Sequence, residues 1–380
     1  MESKREVFFA TCAPGIEPVL HAEIRALALG KVERQVGGVH FEGTIRDAWR
    51  ANLWLRTAVR VLKRVARFKV RNADALHAEA SSVGWSRFLR ADGTFVVDAR
   101  SKESELDHTL FVEQRVKDAI ADQFRAKTGR RPSVDKESPE LVVHVHLFRD
   151  RCTLLVDTSG ESLHKRGWRR FQGRAPLAET LAAAVVMMSG WDRRAPLLDP
   201  FCGSATILIE GALIAANVAP GLFRDRFGFE RWPGHDAAAW GAMREAARAE
   251  SAFPPKLVVR GSDQNAGFVE HARENVAAAG LDGRVTLEVA NARDFEPRRG
   301  WNAWIVTNPP YGERVGDERD LEPLYRRFAE RLREHCAGFH LAMLSGNPRL
   351  ARSLSLKPDR VVALKNGALD CELMLLEIPG

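Results

Sequence analysis

The sequence predicts an α/β chain, with a mostly parallel sheet covered by helices in its C-terminal half and two smaller α+β units before it. Three observations carry this. Strand-like and helix-like stretches alternate regularly from Ala175 onward, which is the pattern of repeated βα units and of a sheet buried on both faces. The first 174 residues mix strands and helices without that alternation and hold 32 Lys and Arg against 23 Asp and Glu, whereas the remainder holds 25 against 27. The length, 380 residues, exceeds one ordinary core at roughly 100–200 residues per domain.

The opening segment predicts a strand at Glu6 to Thr11, an amphipathic helix presenting Ile16, Leu20, Ile24 and Leu27 on one face, strand residues around Val32 to Phe41, and a second helix from Ile45 to Leu62. A strand at Thr94 to Ala99, a helix at Thr109 to Lys127 and strands at Leu141 to Phe148 and Thr153 to Asp157 make the second unit. His144 and His146 share one face of a strand, but no third ligand accompanies them, so they read as filling that face and no metal site is expected. "GESLHKRGWRRFQGRAP" has no apolar period and reads as a linker laid against RNA or against the next domain. Helices follow at Leu177 to Met188, Ala205 to Asn217, Gly267 to Ala279 and Leu321 to Cys336. They alternate with strands at Pro196 to Leu198, Lys256 to Arg260, Arg284 to Ala290, Trp301 to Val306 and Phe339 to Leu344, and two strands, Arg360 to Leu364 and Cys371 to Ile378, close the chain.

Ligands in such sheets sit at the carboxyl ends of strands, and the informative residues fall there. The first strand of this half ends in "LLDPFCGSAT", where Asp199 and Pro200 stop the strand and Gly203, Ser204 and Ala205 turn into a helix with room for a ligand. Neither GxxxxGK[ST] nor GxGxxG is present, which excludes the phosphate-loop and dinucleotide readings. The second strand ends in "VVRGSDQN", placing Asp263 where a carboxylate binds ribose hydroxyls, 64 residues after Asp199 because of an insertion. The third ends in "VANARDF", which offers Asp294 as an acceptor for an adenine amine. The fourth ends in "TNPPYGER": Pro309 and Pro310 fix their own φ angles, so rigid carbonyls stand beside the Asn308 amide and form a polar socket. Each acid alone reads more readily as a helix cap. Four strand ends in chain order point to one site.

The net charge of +7 is concentrated in two acid-free stretches, Arg56, Arg60, Lys63, Arg64, Arg67, Lys69 and Arg71, then Lys165, Arg166, Arg169, Arg170 and Arg174. With Trp168 and Phe171 interleaved, these read as a phosphate-tracking surface with stacking groups, and Arg64, Lys69, Lys165, Arg166, Trp168, Arg169 and Arg170 are its candidate contacts. Five scattered cysteines without a CxxC pair, a start lacking the apolar stretch of a signal peptide, and no ~20-residue apolar run lead to the expectation of a cytoplasmic protein.

On these motifs the C-terminal half resembles the Rossmann-fold methyltransferases that use S-adenosylmethionine, with Asp199 to Thr206 matching their glycine-rich motif and Asn308 to Tyr311 their NPPY signature of amino-group methylation. With "FATCAPGIEPVLHAEI", "ANLWLRTAVRVL", "HKRGWR" and "APLAETLAAA" in order, the chain is similar to the bacterial family of THUMP-domain 23S rRNA guanine-N2 methyltransferases over nearly its whole length. The resemblance implies a ferredoxin-like domain over 1–69, a THUMP RNA-binding domain over 70–160, a basic linker over 161–174 and a Rossmann-like methyltransferase domain over 175–380. It implies S-adenosylmethionine as cofactor, held by Ala175, Pro176, Asp199, Phe201, Cys202, Gly203, Ser204, Thr206, Asp263, Gln264, Asn291, Ala292, Asp294 and Asn308, and RNA as partner, in the first place 23S rRNA. The family has GSGT where this chain has GSAT, so Ala205 is expected to place a methyl group near the cofactor. In the chemistry this implies, Asn308 and the Pro309 carbonyl each accept one N–H of a guanine amine, Pro310 stiffens the loop and Tyr311 stacks on the extruded base. Transfer RNA as substrate, DNA adenine or protein glutamine methylation, and a ribosome-assembly protein without turnover are the alternatives.

Overall fold

The structure, a computed structural model, describes residues 5–171, 176–312 and 318–380. Its first third runs β1 (Glu6–Thr11), α1 (Glu17–Ala26), β2 (Val32–Gln35), β3 (Gly38–Gly43), α2 (Ile45–Trp54) and β4 (Arg60–Lys69). On β1 the alternation is direct: Phe8 and Ala10 are buried, and the Phe8 ring packs 5.2 Å from that of Phe41 on β3. Helix α2 starts where Thr44 and Asp47 form a capping box. Next come α3 (Ala73–Ser81), β5 (Thr94–Lys102), α4 (Thr109–Thr128), β6 (Ser133–Val134), β7 (Leu141–Phe148) and β8 (Arg151–Asp157).

These eight strands form one sheet in the order β2-β3-β1-β4-β8-β7-β5-β6, so the two N-terminal units are joined where β4 pairs antiparallel with β8. The helix expected over Ile45 to Leu62 forms as α2 but stops at Trp54, and β4, with that pairing, claims the residues from Arg60 onward. The apolar residues at 53, 55, 59, 61, 62 and 65 fit a helical period, but a strand hydrogen-bonded on both edges, to β1 and to β8, satisfies more backbone groups. Much of the first basic cluster therefore lies on a strand, where Lys63 is buried against Glu6 at 2.6 Å.

The C-terminal half contains α5 (Glu179–Met188), β9 (Leu197–Asp199), α6 (Thr206–Ala215), α7 (Ala237–Ala249), β10 (Val259–Asp263), α8 (Ala266–Ala278) and β11 (Val285–Val289). It continues with β12 (Trp304–Thr307), α9 (Glu318–His335), β13 (His340–Ser345), α10 (Pro348–Ser353), β14 (Arg360–Asn366) and β15 (Leu369–Glu377). The sheet order is β11-β10-β9-β12-β13-β15-β14, parallel except at β15, which runs antiparallel to both its neighbours. Strands β9 and β12 are adjacent although the chain leaves them toward opposite edges, which makes the gap at their carboxyl ends a topological switch point. The insertion between α6 and β10 turns back onto the first sheet's helix α2, with Phe229 stacked 5.4 Å from Trp49.

Of its two expected positions, the linker takes the one against the next domain. Arg166 and Trp168 are each only 1 % exposed. The Arg166 guanidinium meets Glu210 on α6 at 3.3 Å and donates to the carbonyls of Leu163 and Arg56. Arg169 is held by Glu179 at 2.7 Å. The reading of Arg166, Trp168 and Arg169 as RNA contacts is therefore corrected: a cluster of one sign attracts acids from a distant part of the chain as readily as phosphates. Lys69, Lys165 and Arg170 are exposed, Lys165 beside Glu161, and Arg64 is half-buried on β4.

Breaking a buried pair by deleting one partner costs about 3–5 kcal/mol. Arg166→Ala is expected to lower the unfolding free energy by about that amount in urea denaturation, whereas neutralising exposed Arg170 leaves it nearly unchanged.

Candidate active site

The cleft at the switch point has a volume of about 660 Å³, within the range of small-molecule sites. Each wall is a strand end. Asp199 closes β9, Asp263 closes β10, Asn291 and Ala292 follow β11, and Asn308 to Tyr311 follow β12. Between β9 and α6 the loop at Cys202 to Ser204 lines the cleft; Gly203 has φ +52°, and the position a Cβ would take is open, so a ligand can approach its backbone.

Asp263 holds that loop. Its carboxylate accepts the backbone N–H of Gly203 at 3.2 Å and of Asn265 at 2.9 Å, and each oxygen keeps a lone pair for a ligand hydroxyl. Arg169 supports the loop from behind through Ser204 Oγ at 3.3 Å and Thr206 Oγ1 at 3.0 Å. Asn275, fully buried on α8, accepts the N–H groups of Arg170 and Phe171 and donates to the carbonyls of Phe171 and Ser204. Phe171, stacked on His271 at 4.4 Å, thereby becomes a wall of the cleft. Sequence reasoning missed Asn275 and His271. The signal was there for Asn275, a polar residue among Val269, Ala272 and Val276 on the buried face of a helix.

Asp199 joins the two loops. Thr307 donates its hydroxyl to Oδ1 at 2.6 Å, and the Phe201 N–H donates to the same atom at 3.1 Å. Burial lifts its pKa from 3.8 to about 7, against the pull of those two donors. Beyond Thr307, three contacts fix the NPPY loop: the Tyr325 hydroxyl donates to the Pro310 carbonyl at 2.9 Å, Asn347 donates to the Tyr311 carbonyl, and Asn366 donates to the Tyr311 hydroxyl at 3.3 Å. The Pro310 carbonyl thus anchors the loop. Tyr311 lines the cleft, and Gly346 leaves room for its ring, since a Cβ there would stand 3.1 Å from Cδ2 and Cε2. Asn308 Oδ1 is buried and has no hydrogen-bond partner among the described residues.

Pro176, Phe201, Cys202, Ser204, Thr206, Gln264, Asn291 and Ala292 all line the cleft with the residues above. Asp294 does not; it is exposed at the end of the 3₁₀ turn of residues 292–294, which Asn291 caps. Ala175 lies outside the described residues. Ala205 has φ 61°, and its methyl is buried in the hydrophobic core outside the cleft lining, which corrects the expectation of a methyl near the ligand. The left-handed backbone costs ~1–2 kcal/mol there, offset in part by ~0.8 kcal/mol from burying the methyl.

A cleft walled by four strand ends, an acid at the second of them, an open glycine turn and an unpartnered amide oxygen suit S-adenosylmethionine and define a Rossmann-type methyltransferase. Known proteins agree. The sequence model of the RMKL-like methyltransferase domain matches residues 166–374, that of the RlmL ferredoxin-like domain residues 7–62, and that of the THUMP domain residues 70–157. The chain belongs to the RMKL-like methyltransferase family. It is 44 % identical over 377 residues to ribosomal RNA large subunit methyltransferase K/L of Methylococcus capsulatus, covering 98 % of this chain and 51 % of that protein. The chain spans about half the length of the curated relatives it matches. The structure of SMU.472 complexed with SAH superposes at a TM-score of 0.89 with 32 % identity, covering 99 % of this chain and 98 % of that one. A Listeria monocytogenes chain described as an N6-adenine-specific DNA methylase gives the same score and identity over 99 % and 97 %.

Between its unfolded value of 3.8 and its folded value of about 7, Asp199 holds a proton that the unfolded chain has released. Its contribution to stability therefore declines as pH rises through that window and levels off above it. Asp199→Asn keeps an acceptor for Thr307 and Phe201 but does not titrate. The difference in Tm between wild type and variant should accordingly shift against wild type from pH 4 to pH 7 and stay constant above; a difference independent of pH would show that Asp199 is ionised throughout.

Proposed function

We propose that this protein transfers a methyl group from S-adenosylmethionine to the exocyclic N2 amine of a guanosine in 23S ribosomal RNA, and that it works in the cytoplasm. The observation that carries the reading is Asn308 Oδ1, buried without a partner among the described residues, on a residue that lines the cofactor cleft. A buried acceptor without a donor costs about 1–3 kcal/mol, and an amine N–H supplies the missing partner. The large-subunit RNA follows from the curated relatives' name, and an RNA partner from the THUMP match. No helix among the described residues is long and apolar enough to cross a membrane.

When bound, S-adenosylmethionine supplies an electrophilic methyl on its sulfonium. Everything else is positioning. A guanine amine is a weak nucleophile because its lone pair is delocalised into the ring. With Asn308 Oδ1 and the Pro309 carbonyl each accepting one N–H, the lone pair is turned toward the methyl, and neutral acceptors suit a neutral amine. Tyr311 offers a ring to the extruded base, and its own hydrogen bonds hold it in place before the base arrives. Orientation of this kind contributes about 7–11 kcal/mol in favourable cases, so no strong base is needed before attack.

Asn308→Ala is expected to lower kcat by at least about 10²–10³ while affinities for S-adenosylmethionine and RNA stay near wild type; loss of both affinities would make Asn308 structural. The substrate is tested by methyl transfer from labelled S-adenosylmethionine into RNA from cells lacking the protein, with nucleosides identified by mass spectrometry. N2-methylguanosine in 23S rRNA is the expected product. The same nucleoside in transfer RNA would overturn the substrate, and N6-methyladenine would overturn the reaction.

A further inference from the structure

The eight-stranded sheet has one covered face and one open face. Ala10, Val61, Val143 and Val97 are buried on the first, which shares its core with helices α1, α2 and α4. Alternate residues of the same strands stand on the second. Across β4, β8, β7 and β5 the register sets them in three ranks: Arg64, Leu155, His144 and Asp98; then Arg67, Thr153, His146 and Arg100; then Lys69, Arg151, Phe148 and Lys102. Neighbouring strands lie about 4.8 Å apart, so each rank is ~14 Å wide, and successive ranks are ~7 Å apart.

A bulge makes this arrangement. Between Arg64 and Ala66 the register of β4 against β8 slips by one residue. In a regular strand Arg64 and Arg67 would stand on opposite faces, and the extra residue, Val65, brings them to the same one.

The ranks hold six cations and one acid. Asp98 is engaged by His144 at 3.1 Å. Arg64 is half-buried and Arg67, Lys69, Arg100 and Arg151 are exposed, and none of the five has an ion pair or a side-chain hydrogen bond among the described residues. Lys102 has the exposed Glu103 at 4.0 Å. The field of these charges reaches their neighbours: burial, helped by Arg64 and Arg67, lowers the His40 pKa, and burial with His144 and Arg100 pushes that of His146 down to about 4. A solvated face ordinarily carries both signs. Guarding an edge against other sheets does not explain the cations of β4, β8 and β7 either, since those strands are paired on both sides. Rings stand among the charges, with Phe148 47 % exposed and the neutral His146 in the middle rank.

We propose that this open face is a platform for a single-stranded segment of the substrate RNA, with its phosphates on Arg64, Arg67, Lys69, Arg100 and Arg151. This rests on the reading of RNA as substrate. Unpaired cations beside exposed rings on an open sheet suit an unpaired strand, whose backbone they hold without reading sequence. Three of the cations come from the first N-terminal unit and two from the second. The platform therefore exists only where β4 and β8 join the two units into one sheet.

The test uses the full chain, with single-stranded oligouridylate in fluorescence anisotropy across a salt series and 23S rRNA in the methylation assay. Arg67→Gln, Arg100→Gln and Arg151→Gln remove charges at exposed positions. Each should reduce the slope of log affinity against log salt by about 0.7, and the three together by about 2. The triple variant should also raise KM for 23S rRNA while S-adenosylmethionine affinity stays at the wild-type value. Lys127→Gln, on α4 at the covered side of the sheet, should leave the slope unchanged. An unchanged slope in the triple variant, or a loss in Lys127→Gln as large as in each single variant, would overturn the platform while the RNA reading stands. A wild-type chain that neither binds RNA nor methylates 23S rRNA would overturn the RNA reading itself, and this surface with it.

Discussion

The Arg166 guanidinium sits between two sheets, out of reach of bulk water, and its charge is tolerable there only because Glu210 lies 3.3 Å away and the carbonyls of Leu163 and Arg56 take other N–H groups. That arrangement decides the course of the linker. With residue 166 fixed, Arg169 reaches Glu179, Ser204 and Thr206, and the next two residues fall under Asn275. A packing constraint between domains is thereby transmitted to the turn that approaches the cofactor. Removing water from one ion pair builds the back wall of the active site.

The front wall follows a different logic. Tyr325, Asn347 and Asn366 hold the Pro310 carbonyl, the Tyr311 carbonyl and the Tyr311 hydroxyl of the NPPY loop, and Thr307 is tied to Asp199. Asn308 Oδ1 is buried without a partner among the described residues. A loop fixed by these contacts, with the Asn308 acceptor left open, is preorganised for the amine of the proposed reaction. Asp199 takes part in both walls: it closes β9, leads into the glycine turn, and accepts from the residue before Asn308. The glycine turn and the NPPY loop are therefore linked through a single buried carboxyl.

The insertion of the C-terminal half does for the outside of the molecule what the linker does for the inside. It carries Phe229 and Trp240 onto Trp49 of α2, with Phe227 packed on both of them, and Arg224 donates to the carbonyls of Ser162 and Lys165. The two halves are clasped from both sides.

Much of the site was legible because it depends on local chemistry. Asp199, Asp263 and Asn308 stand where strands stop, and a stopped strand in a repeated βα pattern announces the ligand side of a sheet whatever the rest of the chain does. Strand and helix alternation after residue 175 was legible for the same reason, as period and turn residues are short-range properties. Only the tertiary structure decided the rest. Residues 60–69 became a strand because β1 and β8 offered hydrogen bonds on both edges, Arg166 and Arg169 became ion-pair partners because Glu210 and Glu179 came within reach, and Asp294 was left exposed outside the cleft lining. Charge and apolar period state what a residue can do. Which neighbour satisfies it depends on contacts made across a hundred residues of chain, and no local pattern contains them.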